Sequence, residues 1–144
     1  MITRCLILSL LVAGWLAGIV VAEPLELMKT VDGYRKEVPP PQNLGEMNGF
    51  SLKDAAGQDY LLSHLAGVAR RLGVKSRTDC LMLLTYLKDP DPKIRFIAAE
   101  AIENVVHAYP GGMSLSNILT PNSDGHREMV RRFVAKLQAP PDQP

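Results

Sequence analysis

Between Leu83 and Val106 the chain reads LLTYLKDPDPKIRFIAAEAIENVV, and the Asp89-Pro90-Asp91-Pro92 run in its middle dictates a sharp reversal. Proline has no amide hydrogen and keeps the residue before it out of the helical region. A helix arriving at Leu87 must therefore stop before Pro90. Pro92 suits the first position of a new helix, where no amide donor is needed, and Asp91 suits the cap before it. Cys80, Leu83, Leu84 and Leu87 share a face before the turn; Ile94, Ile97, Ala98, Ala101, Ile102 and Val105 share one after it. The small side chains of Ala98, Ala99 and Ala101 allow a neighbouring helix to approach closely. The segment is expected to be an antiparallel helical hairpin.

Two further helices flank it. Tyr60, Leu61, Leu65, Val68, Ala69 and Leu72 recur at three- and four-residue spacing, with Gly73 placed to end their helix. The first arm of the hairpin starts at Ser76, with Asp79 three residues on in a capping arrangement. Tyr109-Pro110-Gly111-Gly112 closes the second arm. A loop from Met113 to Gly125 carries one helical turn around Ser116–Leu119. The last helix runs from about His126 to Gln138, capped by Ser123 or Asp124, with Met129, Val130, Phe133, Val134 and Leu137 inward. An all-α domain over 59–138 results, followed by a disordered tail at 139–144. Residues 23–58 read as a weakly structured segment: Leu25, Leu27, Met28, Val31 and Tyr34 suit a short helix within 23–38, and Pro39-Pro40-Pro41 and the glycines after it suit a Pro/Gly-rich linker over 39–58. The alternative is a lid over the helices anchored by Phe50 and Leu52.

The N-terminus, MITRCLILSLLVAGWLAGIVVA, sets the compartment. One cation, an uncharged apolar run from Cys5 to Ala22 and the small exit residues Val20 and Ala22 describe a signal peptide over 1–22. Export to the periplasm or the exterior follows, with a membrane anchor through residues 5–22 as the alternative. The chain has 16 Lys+Arg and 15 Asp+Glu; loss of Arg4 leaves 15 against 15. That neutrality gives no argument for nucleic acid as a partner. Only Cys80 remains after cleavage, so no intramolecular disulfide forms.

The order Leu84…Leu87-Lys88-Asp89-Pro90-Asp91, Ile94-Arg95, Ala98-Ala99, Ala101-Ile102 resembles a HEAT repeat of the kind also found in phycobilisome lyases. The resemblance implies a short stack of helical hairpins, either a fragment of an α-α superhelix or a small bundle. It also implies structural roles for Asp91, Arg95, Ala98, Ala99 and Ile102, with Asp91 and Arg95 holding the hairpin together. Only one such unit is visible, whereas a solenoid needs about three to stand alone.

For function, the reading is an exported, non-catalytic module that binds another protein. Its surface is expected to include the polar edge of the hairpin, with Lys88, Lys93, Glu100, Glu103 and Asn104 outward, and Arg127, Arg131 and Arg132 of the last helix. No cofactor or metal is expected: His64, His107 and His126 lack ligand spacing, and Cys80 sits on an apolar stripe. Two alternatives stand beside it. One is a lyase or chromophore-handling role implied by the resemblance. The other is an anionic polymer bound through Arg70, Arg71, Lys75 and Arg77 and through the C-terminal basic group.

Overall fold

The computed structural model describes residues 25–140. Helix α1 covers 25–33. A 3₁₀ turn, Leu44–Met47, leads to a two-stranded antiparallel hairpin of β1 (Ser51–Lys53) and β2 (Asp59–Leu61), in register with Leu52 opposite Tyr60. Then come α2 (Leu62–Arg71), α3 (Arg77–Leu83) continuing as a 3₁₀ segment Leu84–Lys88, α4 (Pro92–Val106), the short α5 (Leu115–Leu119) and α6 (Asp124–Gln138). The domain is mostly helical.

The helix ends follow local chemistry. Ser76 accepts from the Asp79 amide, Asp91 from the Lys93 amide and Ser123 from the His126 amide, each occupying an amide the helix itself leaves free. Gly73 takes a left-handed φ of +67° after α2, as a chain leaving a helix often requires. At α4 the same conformation falls on His107, with φ at 49°, so that helix stops at Val106 before Tyr109 is reached. Glu103 then turns back to accept from the Ala108 and Tyr109 amides at 3.0 and 2.8 Å.

Helix α4 is the axis of the molecule. Every residue from Lys93 to Ala99 is buried, as are Ala101 and Ile102. Helices α2, α3, α5 and α6 and strand β1 all pack against it. A helix buried on nearly all sides belongs in the middle of a bundle. The result is a closed bundle around one central helix, and its alanines let α2 lie close along it.

Three expectations are corrected. The described part of 23–58 is not weakly structured, and 39–58 is not a free linker: Val31, Val38 and Leu52 belong to the core, and the Tyr86 hydroxyl donates to the Met28 carbonyl at 3.2 Å. Asp59–Leu61 is a strand, so α2 begins only at Leu62. Of the two residues suggested as lid anchors, Leu52 is buried but Phe50 is 84% exposed. The signal-peptide reading over 1–22 and the last residues of the tail lie outside the described residues. Among the described residues no helix is long and apolar enough to cross a membrane.

Candidate binding surface

The best-marked polar residues of the sequence turn inward. At the 89–92 turn Asp89 accepts two hydrogen bonds from the Arg35 guanidinium at 2.7 and 2.5 Å, and a third from the Asp91 amide at 2.9 Å. Asp91 caps α4 and also accepts from the Ala55 amide in the β1–β2 turn at 3.3 Å. Lys93 is fully buried, which corrects its expected outward position. Its ammonium donates to Asp54 Oδ2 at 3.4 Å and to the Arg35 carbonyl at 3.2 Å, lies 4.0 Å from Asp91 Oδ2 and sits 4.8 Å above the Tyr60 ring. Arg95 donates to the carbonyls of Asp89, Ile118 and Leu119 at 2.5, 2.9 and 3.1 Å. It therefore ties the turn to α5 through backbone oxygens. A buried charge is tolerated when partners surround it, and this cluster meets that condition.

Burial pushes the Asp54 and Asp89 carboxyls upward, but their donors outweigh it, and both end below the usual carboxylate range. The donors are the Gln58 amide and Lys93 at Asp54, and Arg35 and the Asp91 amide at Asp89. The cluster is a lock joining α1, the strand hairpin, α4 and α5. Ala98, Ala99 and Ile102, the remaining hairpin residues, are buried on the α4 axis.

The residues expected to meet a partner divide. Arg127, Arg131, Arg132 and Lys136 lie exposed on α6. Arg127 pairs with Asp124, while Arg131 and Arg132 grip Glu128 at 2.8 and 3.0 Å. The two arginines hold Glu128 down at a pKa of about 2. Arg132 also lies 5.0 Å over the Tyr109 ring, which packs edge-on against Phe133 at 6.1 Å. Glu103 is occupied by its helix-closing role. Glu100 is half-buried, and burial together with nearby Glu103 raises its pKa despite Arg70. The α4 edge thus contributes only Asn104 and His107 as exposed side chains between Lys93 and His107.

The first basic group disperses. Arg71 pairs with the buried carboxylate of Glu46 at 2.7 Å, and Arg77 donates to the Leu137 carbonyl at 3.3 Å. His64 Nε2 lies 2.6 Å from the Pro39 carbonyl. His126 is buried with Nδ1 2.9 Å from the Asn117 carbonyl, which assigns the proton to Nδ1 and leaves Nε2 without a partner. Burial lifts the Cys80 thiol to about 11, which keeps it protonated and unreactive at neutral pH. No cluster of three potential metal ligands occurs among the described residues.

Sequence reasoning missed one surface. Leu44, Met47 and Phe50 are 80, 57 and 84% exposed within seven residues. The loop that carries them is pinned. Asn43 caps the 3₁₀ turn, and Glu46 reaches inward to Arg71 and the Gln42 amide. Ser63 bonds the Asn48 carbonyl, and the Leu62 amide donates to Phe50 at 2.7 Å. Gly67 makes room for Glu46, since a methyl there would overlap the carboxylate. Elsewhere, Glu26, Leu27 and Thr30 of α1 and Tyr34 just after it face Arg71, Leu72, Val74 and Asp79 across a cleft of about 400 Å³. The signal available in the sequence was the lack of any charge but Glu46 between Gln42 and Leu52. No protein-family model, curated protein or solved structure matches the chain.

Proposed function

We propose that the protein is an exported, non-catalytic binding module. In this reading a HEAT-like hairpin forms its interior and the solvent face of α6 meets a protein partner. The observation that carries the proposal is the α6 face. Arg127, Arg131, Arg132 and Lys136 stand against Asp124 and Glu128, a net positive and exposed strip along a helix whose other side is in the core. The arginines are held by their carboxylates, so little side-chain freedom is lost when a partner arrives. An acidic protein surface complements such a strip, and complementarity of this kind acts mainly on encounter and selectivity.

The HEAT-like part of the reading is supported by the Asp91 cap and by Arg95, which spans from the turn to the next element, α5. Export is supported by the order of charge, apolar core and small exit residues in the first 22 positions.

The test is capture of partners from the exported fraction of the source cells by the wild-type domain and by an Arg131→Glu/Arg132→Glu variant. Stoichiometric capture that weakens between about 50 and 200 mM salt and is lost in the variant supports the proposal. Capture indifferent to both would place the contact elsewhere. N-terminal sequencing of the exported form is expected to begin at Glu23.

A further inference from the structure

We propose that the buried ammonium of Lys93 and the carboxylate of Asp54 condense to an intramolecular isopeptide bond, with Asp91 relaying the proton. The product is a covalent staple between the strand hairpin and α4. It is independent of what α6 binds.

The nucleophile is dry and fixed. Lys93 is fully buried, with its Nζ held among Asp54, the Arg35 carbonyl and the Tyr60 ring. A desolvated lysine amine is the form that attacks a carbonyl carbon. The acceptor is at hand: Nζ stands 3.4 Å from Asp54 Oδ2, one bond from the carbon to be attacked. Packing already holds both side chains, so little freedom is lost in bringing them together. The other oxygen, Asp54 Oδ1, accepts from the Ala56 and Gln58 amides at 2.9 Å each, as an oxyanion hole requires. Those amides favour the carboxylate at rest and the oxyanion of the tetrahedral intermediate by the same contact. Asp91 Oδ2 lies 4.0 Å from Nζ, while Asp91 Oδ1 is taken by the Ala55 and Lys93 amides. Asp91 therefore has one oxygen facing the reacting nitrogen, where a base is needed.

The reaction balances within the cluster. One proton passes from Lys93 to Asp54 Oδ2, which turns the ion pair into an amine and an acid. The Nζ lone pair then bonds to Cγ, and the carbonyl electrons move to Oδ1. Asp91 takes a proton from the attacking nitrogen and returns it to the Oδ2 hydroxyl. That hydroxyl leaves as water while the Cγ–Oδ1 double bond re-forms. A lysine and an aspartate become one amide and one water, and Asp91 ends as a carboxylate. No oxidant or co-reactant enters. Burial favours the product, because an amide replaces two charges in a dry interior. Among the described residues Cys80 is the sole cysteine. A link across 39 positions constrains the unfolded chain as a disulfide would.

The test is a mass measurement on the protein purified from its cells and kept folded until its mass no longer changes. The ion pair is what folding delivers, and the bond accumulates from it. Denatured wild-type protein is expected to be lighter than its sequence by one water. Trypsin should leave Lys93 uncut and release peptide 54–70 joined to peptide 89–95. The branched peptide decides, because Asp32-Gly33 and Asp124-Gly125 lose the same mass on closing to a succinimide. Asp91→Asn keeps a good helix cap, so its circular dichroism should match wild type. It lacks the relaying carboxylate, so the branched peptide should form about a hundredfold more slowly or less. Separate peptides 54–70 and 89–93 from wild-type protein kept folded would overturn the proposal. Bond formation at the wild-type rate in Asp91→Asn would overturn the part given to Asp91. Neither reading involves the α6 arginines, so the outcome is separable from the capture experiment.

Discussion

At the scale of single residues, Lys93 decides more than any other polar side chain. A buried ammonium is stable only when its charge is met on several sides, and here two carboxylates, a carbonyl and an aromatic face meet it. Lys93→Met should cost on the order of 3–5 kcal/mol in urea unfolding, because the buried Asp54 carboxylate loses its cationic partner and keeps only amide donors. Adding Asp54→Leu to that variant should recover a good part of the loss; equal or additive losses would show that the two do not act as a pair. The depressed carboxyls give a pH signature. Asp54 and Asp89 stay ionised in the folded state to lower pH than in the unfolded chain. Their contribution is therefore complete above the unfolded values near about 4 and is lost as pH falls through the lower folded values. The unfolding midpoint should hold steady from about pH 7 to 5 and drop below about pH 4, and Asp89→Asn should flatten that drop. Lys93 was illegible in the sequence because a lysine in the first turn of a helix ordinarily points to water. Nothing in its neighbours reveals that Asp54 lies against it from 39 positions earlier.

At the scale of elements, caps and turns were legible because each is written in a few adjacent residues: Ser76, Asp91 with Pro92, Ser123 and Gly73 all stand where local chemistry puts them. The N-terminal elements were legible only in part. Leu27, Met28, Val31 and Tyr34 recur at helical spacing and mark α1, but the strand hairpin has a single buried apolar anchor, Leu52, too little to make a period. Their remaining attachments are polar and distant, such as Arg35 to Asp89, and so leave no local pattern. On α4, Ala98 has no exposed surface, and Ala98→Leu should overpack the bundle at a cost of about 1–3 kcal/mol. A neutral effect on the unfolding midpoint would show that the neighbours yield. Gly67→Ala acts on a different element: its methyl would displace Glu46 and release the 42–50 loop. The expected outcome is faster amide exchange over that loop than in wild type, with α6 unaffected.

At the scale of the whole molecule, the bundle has one centre, and amide exchange should be slowest along Phe96–Ile102, where every neighbouring element converges. A slower α6 would contradict that arrangement. The closure also separates this fold from an open stack, in which the second helix of a hairpin keeps a free edge. Here the N-terminal segment covers it, and Arg35 and Asp54 secure the cover to the turn. The order of synthesis gives that arrangement a kinetic meaning. Synthesis delivers α1 and the strand hairpin long before the turn and helix that carry Asp89 and Lys93. Until the 89–92 turn and α4 have followed, Arg35 has no Asp89 to grip, and Val31 and Leu52 have no axis to pack on. Early folding of the leading half is therefore disfavoured until the central helix arrives.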